Sequence, residues 1–210
     1  MGNHIYTIGR ELGSGGYTVA KLLAERLGIR LYDKELLAQA AKDSGFCEEI
    51  FENHDERPTN SFLYSLVMDT YSFGYSSGSY TDMPLNHKVF LAQFDAIKKI
   101  AKAGPCVLVG RCADYALSEY KDCFSVFVHA DTDWRINRLS QKHNKTAKEA
   151  KDMINKTDKS RSSYYNYYTN KKWGAASSYN LCVDSSKLGI DGAAKAIIQA
   201  IEIFDSIKNK

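Results

Sequence analysis

Five short runs of β-branched and apolar residues alternate along this chain with longer stretches in which apolar residues recur at helical spacing. That alternation narrows the fold more than any other feature. The runs are His4 to Gly9, Ile29 to Tyr32, Pro105 to Gly110, Phe124 to His129 and Asn180 to Val183. Helical patterns cover Tyr17 to Leu27, Lys34 to Lys42, His87 to Ala103, Trp134 to Lys142, Ala147 to Tyr168 and Gly192 to Ile207. Strands separated by helices are joined by right-handed crossovers into a parallel sheet buried on both faces. The expectation is a three-layer α/β fold around five parallel strands. Asp131 is placed to cap the Trp134 helix, and Thr146 with Glu149 has the spacing of a capping box.

A chain of 210 residues, 44% hydrophobic and 25% charged, has enough apolar side chain for one domain with insertions. No run approaches the ~20 apolar residues that span a bilayer. The start, MGNHIYTIGR, lacks the basic flank and apolar stretch of a signal peptide, so a cytoplasmic protein with no membrane partner is expected. Five scattered cysteines without a CxxC pair suggest neither a disulfide framework nor a zinc site. A net charge of +3 is too small to point to nucleic acid and is compatible with small anionic ligands.

Between the first strand and the first helix lies GRELGSGGYT, Gly9 to Thr18. Glycine-rich loops in that position expose backbone N–H groups beside a helix N-terminus and so cradle phosphate. Gly13, Ser14, Gly15, Gly16, Tyr17 and Thr18 are the phosphate-binding candidates. A dinucleotide fingerprint starting at Gly13 would require glycine where Thr18 stands. The mononucleotide pattern G-x-x-x-x-G-K-[ST] fits over its second half but has Gly16 at the lysine position.

GSGGYTVAKLLAERLGIRLYD (Gly13 to Asp33) resembles the opening of cytidylate kinases and their nucleoside monophosphate kinase relatives. VLVGRCADY (Val107 to Tyr115) is similar to their Gly-Arg-Asp segment, VFVHADTDWRINRL to their arginine-bearing helix, and DKSR (Asp158 to Arg161) to the Asp-x-x-Arg of their lid. NLCVDSSKLGIDGAAKAI resembles the last strand and helix, so the likeness spans nearly the whole chain and is strongest to the cytidylate kinase-like subgroup. It implies a P-loop NTPase-like domain over residues 1–210, with an acceptor-binding insertion at about 34–104 and a helical lid at about 142–175. It also implies ATP and magnesium as cofactors, Thr18 as a magnesium contact, and transfer of the γ-phosphoryl to a nucleoside monophosphate, CMP first, or to another small phosphoryl acceptor. Two alternatives stay open: a nucleotide-binding module without turnover, which the missing lysine supports, and a phosphotransferase for a non-nucleotide acceptor, which the altered loop and the aromatic insertion support.

Carried over residue by residue, the resemblance makes Arg111, Asp33 and Asp158 acceptor-binding and Arg135 and Arg161 catalytic on lid closure, with Arg138 beside Arg135. Arg10 is the candidate cation in place of the missing lysine, ahead of Lys34 and Lys156. Each has a plainer reading. Arg111 can pair with Asp114, Asp33 can cap the Lys34 helix, and Asp158 with Arg161 can be a solvated i, i+3 pair. The tyrosines of the Tyr64 to Tyr80 segment suit base stacking, burial or a partner subunit. Tyr164 to Tyr168 and Trp173 read as packing residues. The histidines have no metal spacing, and Leu12 occupies the glycine position that a G-x-S-x-G elbow at Ser14 would need.

Overall fold

The computed structural model describes residues 4–45, 55–56 and 85–208. β1 (Ile5–Arg10), β2 (Arg30–Tyr32), β3 (Cys106–Val109), β4 (Cys123–His129) and β5 (Leu181–Asp184) form one parallel sheet in the order β2-β3-β1-β4-β5. α1 (Gly16–Leu27) and α2 (Lys34–Ser44) follow the first two strands, and α3 (Leu85–Ala103) leads into β3. After β3 come the short α4 (Ala113–Ala116), then α5 (Thr132–His143), α6 (Ala147–Thr169) and α7 (Ser185–Lys208), the last kinked at Gly189. The five strands and their order of appearance match the sequence expectation. α4 carries no helical signature of its own, and α7 starts at Ser185, ahead of the expected Gly192.

The two faces of the sheet follow from strand periodicity. Ile5, Cys106 and Leu108 point to one side and pack with Leu36, Ala96 and Ile97 of α2 and α3. Tyr6, Ile8, Val107 and Val109 point to the other and meet Val19 and Leu23 of α1 and Ala193 and Ile197 of α7. Both faces are covered, which is why the strands are almost continuously apolar.

α5 and α6 cross above the carboxyl edge of the sheet, where Leu139, Ala150 and Ile154 form a small core against Leu12. The capping box at Thr146 and Glu149 starts α6 as expected. Asp131 sits at the N-cap of α5, but its carboxylate makes no cap bond and accepts from Lys187 instead, at 2.7 Å. At the far end of α6, Tyr164, Tyr165 and Tyr168 are buried, Phe90 of α3 stacks on Tyr168 at 3.9 Å, and the Tyr164 hydroxyl donates to Gln93. The Tyr164–Tyr168 cluster is therefore the anchor of α6 on α3. The Tyr64 to Tyr80 segment lies outside the described residues. Among the described residues no helix is long and apolar enough to cross a membrane.

Candidate functional site

The turn between β1 and α1 is a tight glycine-rich loop at the carboxyl edge of the sheet. Gly13 and Gly15 adopt positive φ, and the N-cap residue of α1, Gly15, has no side chain to cap it, so the Tyr17 and Thr18 amides of its first turn have no carbonyl of their own helix to reach. Ser14 does not face out. Its hydroxyl is buried, donates to the Glu11 carbonyl at 2.9 Å and accepts from the Gly16 amide at 3.3 Å, which fixes the shape of the loop from inside. Above the loop is an open cleft of about 190 Å³ lined by Gly13, Gly15, Gly16, Tyr17 and Thr18 on one side and Arg138, Lys142 and His143 of α5 on the other, with Asp33, Arg10 and Arg161 at its inner end. Tyr17 is exposed at the rim. Arg138 Nη2 donates to Thr18 Oγ1 at 3.3 Å.

Gly16, at the position of the missing lysine, is enclosed. A β-carbon there would lie 2.5 Å from Cβ of Arg10 and 3.2 Å from its Cγ. Arg10 therefore passes over the start of α1 and excludes any side chain at residue 16. Its guanidinium continues toward Gly110, whose φ of +71° and missing side chain make room for it: a β-carbon at 110 would overlap both Arg10 Nη1 and Glu56 Oε1.

Three arginines and three carboxylates meet at this inner end. Glu56 accepts from Arg10 Nη1 and Nη2 at 2.5 and 3.2 Å, from Arg161 Nε at 2.8 Å and from the Arg111 main-chain N–H at 3.2 Å. Arg111, whose side chain is 3% exposed, makes a two-pronged pair with Asp55 at 2.9 and 2.8 Å and donates through Nη1 to Asp33 and the Val109 carbonyl. Gly110, Arg111 and Cys112 are consecutive left-handed residues, a turn that presents the Arg111 main-chain N–H to the Glu56 carboxylate and costs backbone strain at its two non-glycine positions.

The electrostatics follow from burial and pairing. Burial alone would raise the Glu56 carboxyl, yet Arg10, then Arg161 and Arg111, hold it far below the usual carboxylate range. Asp55 is raised, because its burial outweighs Arg111 and Glu56 repels it. Arg161 is lowered by burial and by its neighbour Arg10, and Glu56 offsets this only in part.

Arg135 and Asp158 meet each other at the back of the loop. Arg135 is buried, donates through Nε to the Leu12 carbonyl at 2.8 Å, and pairs with Glu11 and with Asp158. Asp158 also accepts from the Leu12 amide at 2.8 Å, so α6 grips the β1–α1 loop directly and through Arg135 at once. Asp158 and Arg161 share one face of α6 but divide the work: the first holds the loop, the second enters the arginine cluster. Lys34, Lys156 and Lys159 are exposed. Asp114 is not the partner of Arg111 and instead accepts from the Tyr165 hydroxyl at 2.6 Å.

The geometry thus brings Arg10, Asp33, Arg111 and Arg161 together and sets Thr18 across the cleft. Sequence reasoning missed Asp55, Glu56, Lys142 and His143. The available signal for the first two was the adjacent acid pair in ENHDER, a segment of four charged residues with no helical or strand period to assign them to a surface.

Residues 5–187 match the model of the cytidylate kinase-like family. The chain is similar to the cytidylate kinase of Methanococcus maripaludis strain C5, 25% identical over 200 residues that cover 94% of this chain and 97% of the relative. It is likewise similar to that of Methanocaldococcus jannaschii, 26% identical over 203 residues with the same coverage. Among solved structures, an uncharacterized protein from Eubacterium ventriosum superposes with a TM-score of 0.71 at 32% identity, covering 95% of this chain and 98% of that one. The shikimate kinase of Bacteroides thetaiotaomicron, at 13% identity and a TM-score of 0.52, shares the fold. The chain belongs to the cytidylate kinase-like family, within the P-loop nucleoside monophosphate kinase superfamily of phosphotransferases.

Proposed function

We propose that this protein transfers the γ-phosphoryl group of ATP to a small acceptor, with a nucleoside monophosphate, CMP first, as the substrate to test. The observation that carries this reading is the convergence of Arg10 and Arg161 between the cleft over the phosphate loop and the buried Arg111 cluster. Phosphoryl transfer needs little covalent chemistry from the protein and depends on alignment and charge stabilisation, which guanidinium groups at the junction of two subsites supply. In this reading the α1 amides and Arg138, Lys142 and His143 hold the donor polyphosphate. Arg10 takes the part of the absent loop lysine, and Asp33 orients the acceptor at the mouth of the Arg111 cluster.

Magnesium would supply charge neutralisation along the donor phosphates. Among the described residues no group of three His, Cys, Asp or Glu side chains could hold a metal ion. The Thr18 hydroxyl, which accepts a single bond from Arg138, retains a lone pair, and this suits an ion held mainly by phosphate oxygens and water. Arg135 and Asp158 act in this reading as positioning residues that set the loop against the lid helix. One observation favours a different acceptor chemistry: Arg111 is already engaged by Asp55, Asp33 and Val109, an environment suited to an acceptor held through hydroxyls as well as one held through phosphate.

The test is direct product detection by anion-exchange chromatography after incubation with ATP, magnesium and each common nucleoside monophosphate. A diphosphate product that is lost in Arg111→Ala is the expected result. Intact ATP across the panel would leave a nucleotide-binding module without turnover, or an acceptor outside the panel.

A further inference from the structure

The Glu56 carboxylate is coordinated as a bound oxyanion would be. Its two oxygens receive four N–H groups, two from Arg10, one from Arg161 Nε and one from the Arg111 main chain in its left-handed turn. Gly110 is shaped to admit this pair. The free space beside it, lined by Gly9, Gly110, Arg111 and Cys112, is about 20 Å³, room for roughly one water and too little for a tetrahedral phosphoryl group.

The charge is unevenly shared. Arg111 faces both Asp55 and Asp33, whereas Arg10 and Arg161 pair with the one carboxylate of Glu56 and repel each other, with Asp158 helping Arg161 at longer range. A dianion between them would satisfy both guanidinium groups better than a monoanion does. Glu56 stays tied to α6 when its carboxylate is displaced, because its main-chain carbonyl accepts from the Ser160 hydroxyl at 3.0 Å.

We infer that Glu56 is a resident anion: it occupies an oxyanion site formed by Arg10, Arg161 and the Arg111 N–H, and a phosphoryl group enters that site by displacing its carboxylate. Glu56 thereby keeps two partly buried arginines paired in the unliganded protein and sets a threshold that favours doubly charged phosphoryl groups over carboxylates. The ligand class is a phosphoryl oxyanion, from the donor or from the acceptor. The inference takes its biological ligand from the phosphotransferase reading, but its test does not use turnover.

The experiment is calorimetric titration of inorganic phosphate into the full chain, its Glu56→Gln variant and its Glu56→Asp variant, with ATP and CMP as competitors. Removing the resident charge should tighten phosphate binding by ~10-fold or more, the scale of a charged hydrogen bond, and Glu56→Asp should fall between. Competition by CMP would assign the site to the acceptor, and competition by ATP alone to the donor. Equal or weaker phosphate binding by Glu56→Gln would overturn the inference, since it would make Glu56 a support for the arginines. If that variant does not fold, the wild-type protein decides the matter through its arginine side-chain ¹⁵N resonances. Saturating phosphate should shift the Arg10 and Arg161 Nε signals and leave Arg111 Nε, fixed by Asp55, in place. A shift confined to Arg138 would put phosphate in the outer cleft with Glu56 undisturbed, and would contradict displacement. Failure here with turnover intact would remove only the role of Glu56, whereas displacement without turnover would remove only the kinase reading.

Discussion

The outer cleft and the inner cluster share Arg10 and Arg161, yet they handle charge in opposite ways. The cleft is open and lined by donors with no carboxylate set against them on the α5 side: the Tyr17 and Thr18 amides of α1, and Arg138, Lys142 and His143. In the cluster the donors of Arg111 are taken by carboxylates and carbonyls, and the remaining space is nearly closed. A polyphosphate can enter the first by replacing water, whereas it can enter the second only by exchange with a protein carboxylate. Arg10 and Arg161, at the border, are where a group moving between two subsites would be held.

The largest way to break this contrast is to remove the cation at the centre of the cluster. Arg111→Met leaves Asp33 and Asp55 facing each other without their partner, and should cost ~3 kcal/mol or more of folding free energy. Urea denaturation at neutral pH measures this, and an unchanged midpoint would show that the pair is solvated in solution.

Removing Glu56 should cost less, because Arg10 and Arg161 lie partly exposed and can rehydrate. Its effect has a pH signature. The folded-state carboxyl is depressed, so its stabilisation is fully present above the unfolded value of roughly 4.3 and is lost as pH falls below it. Asp55 and Glu11 are raised by burial and act in the opposite sense, costing stability when ionised and returning it on acidification. The stability difference between wild type and Glu56→Gln should therefore be flat from pH 6 to 8, to within about 0.5 kcal/mol, and shrink below pH ~4. A difference that grows on acidification would contradict the pairing.

Gly16→Ala sharpens the contrast from the cleft side. The new methyl meets Arg10 Cβ and should cost ~1–3 kcal/mol through overpacking, with weaker ATP binding as Arg10 is pushed aside. Asp158→Asn should cost ~1–2 kcal/mol by loosening the grip of α6 on Leu12 and Arg135, with donor affinity reduced and phosphate binding at the cluster unchanged. Thr146→Ala, which removes the distant capping box of α6, should cost only ~1 kcal/mol and leave ligand affinities untouched. Equal ligand effects from the last two would mean that α6 acts as one rigid body.

The fold was legible because its signal is periodic and cumulative. Ile5, Cys106 and Leu108 alternate with Tyr6, Val107 and Val109, and each strand run repeats the message. Boundaries were less legible where side chains find partners across the chain: Asp131 has the composition of a cap, but Lys187 claims its carboxylate. At the site, Arg10 and Arg111 stand out by their places at the carboxyl ends of strands and Arg161 only by its resemblance to a lid arginine of cytidylate kinases, and their convergence depends on crossovers that no local pattern encodes. Glu56 is hard to read because the acid pair it forms with Asp55 lies in a polar stretch with no period, and its meaning comes from arginines 46 and 105 residues away. Ser14 was misleading for the same reason: its place in the loop suits phosphate, but its hydroxyl is turned inward to Glu11 and Gly16.

The central claim is that Arg10 replaces the loop lysine at the border between the two subsites. The most direct measurement is ATP affinity, by calorimetry with magnesium present, for the wild-type protein and Arg10→Ala. The account predicts binding weakened by ~10-fold or more, the scale of a lost charged hydrogen bond, with the fold retained. Full ATP affinity in Arg10→Ala would contradict it and leave Arg10 as a partner of Glu56 alone.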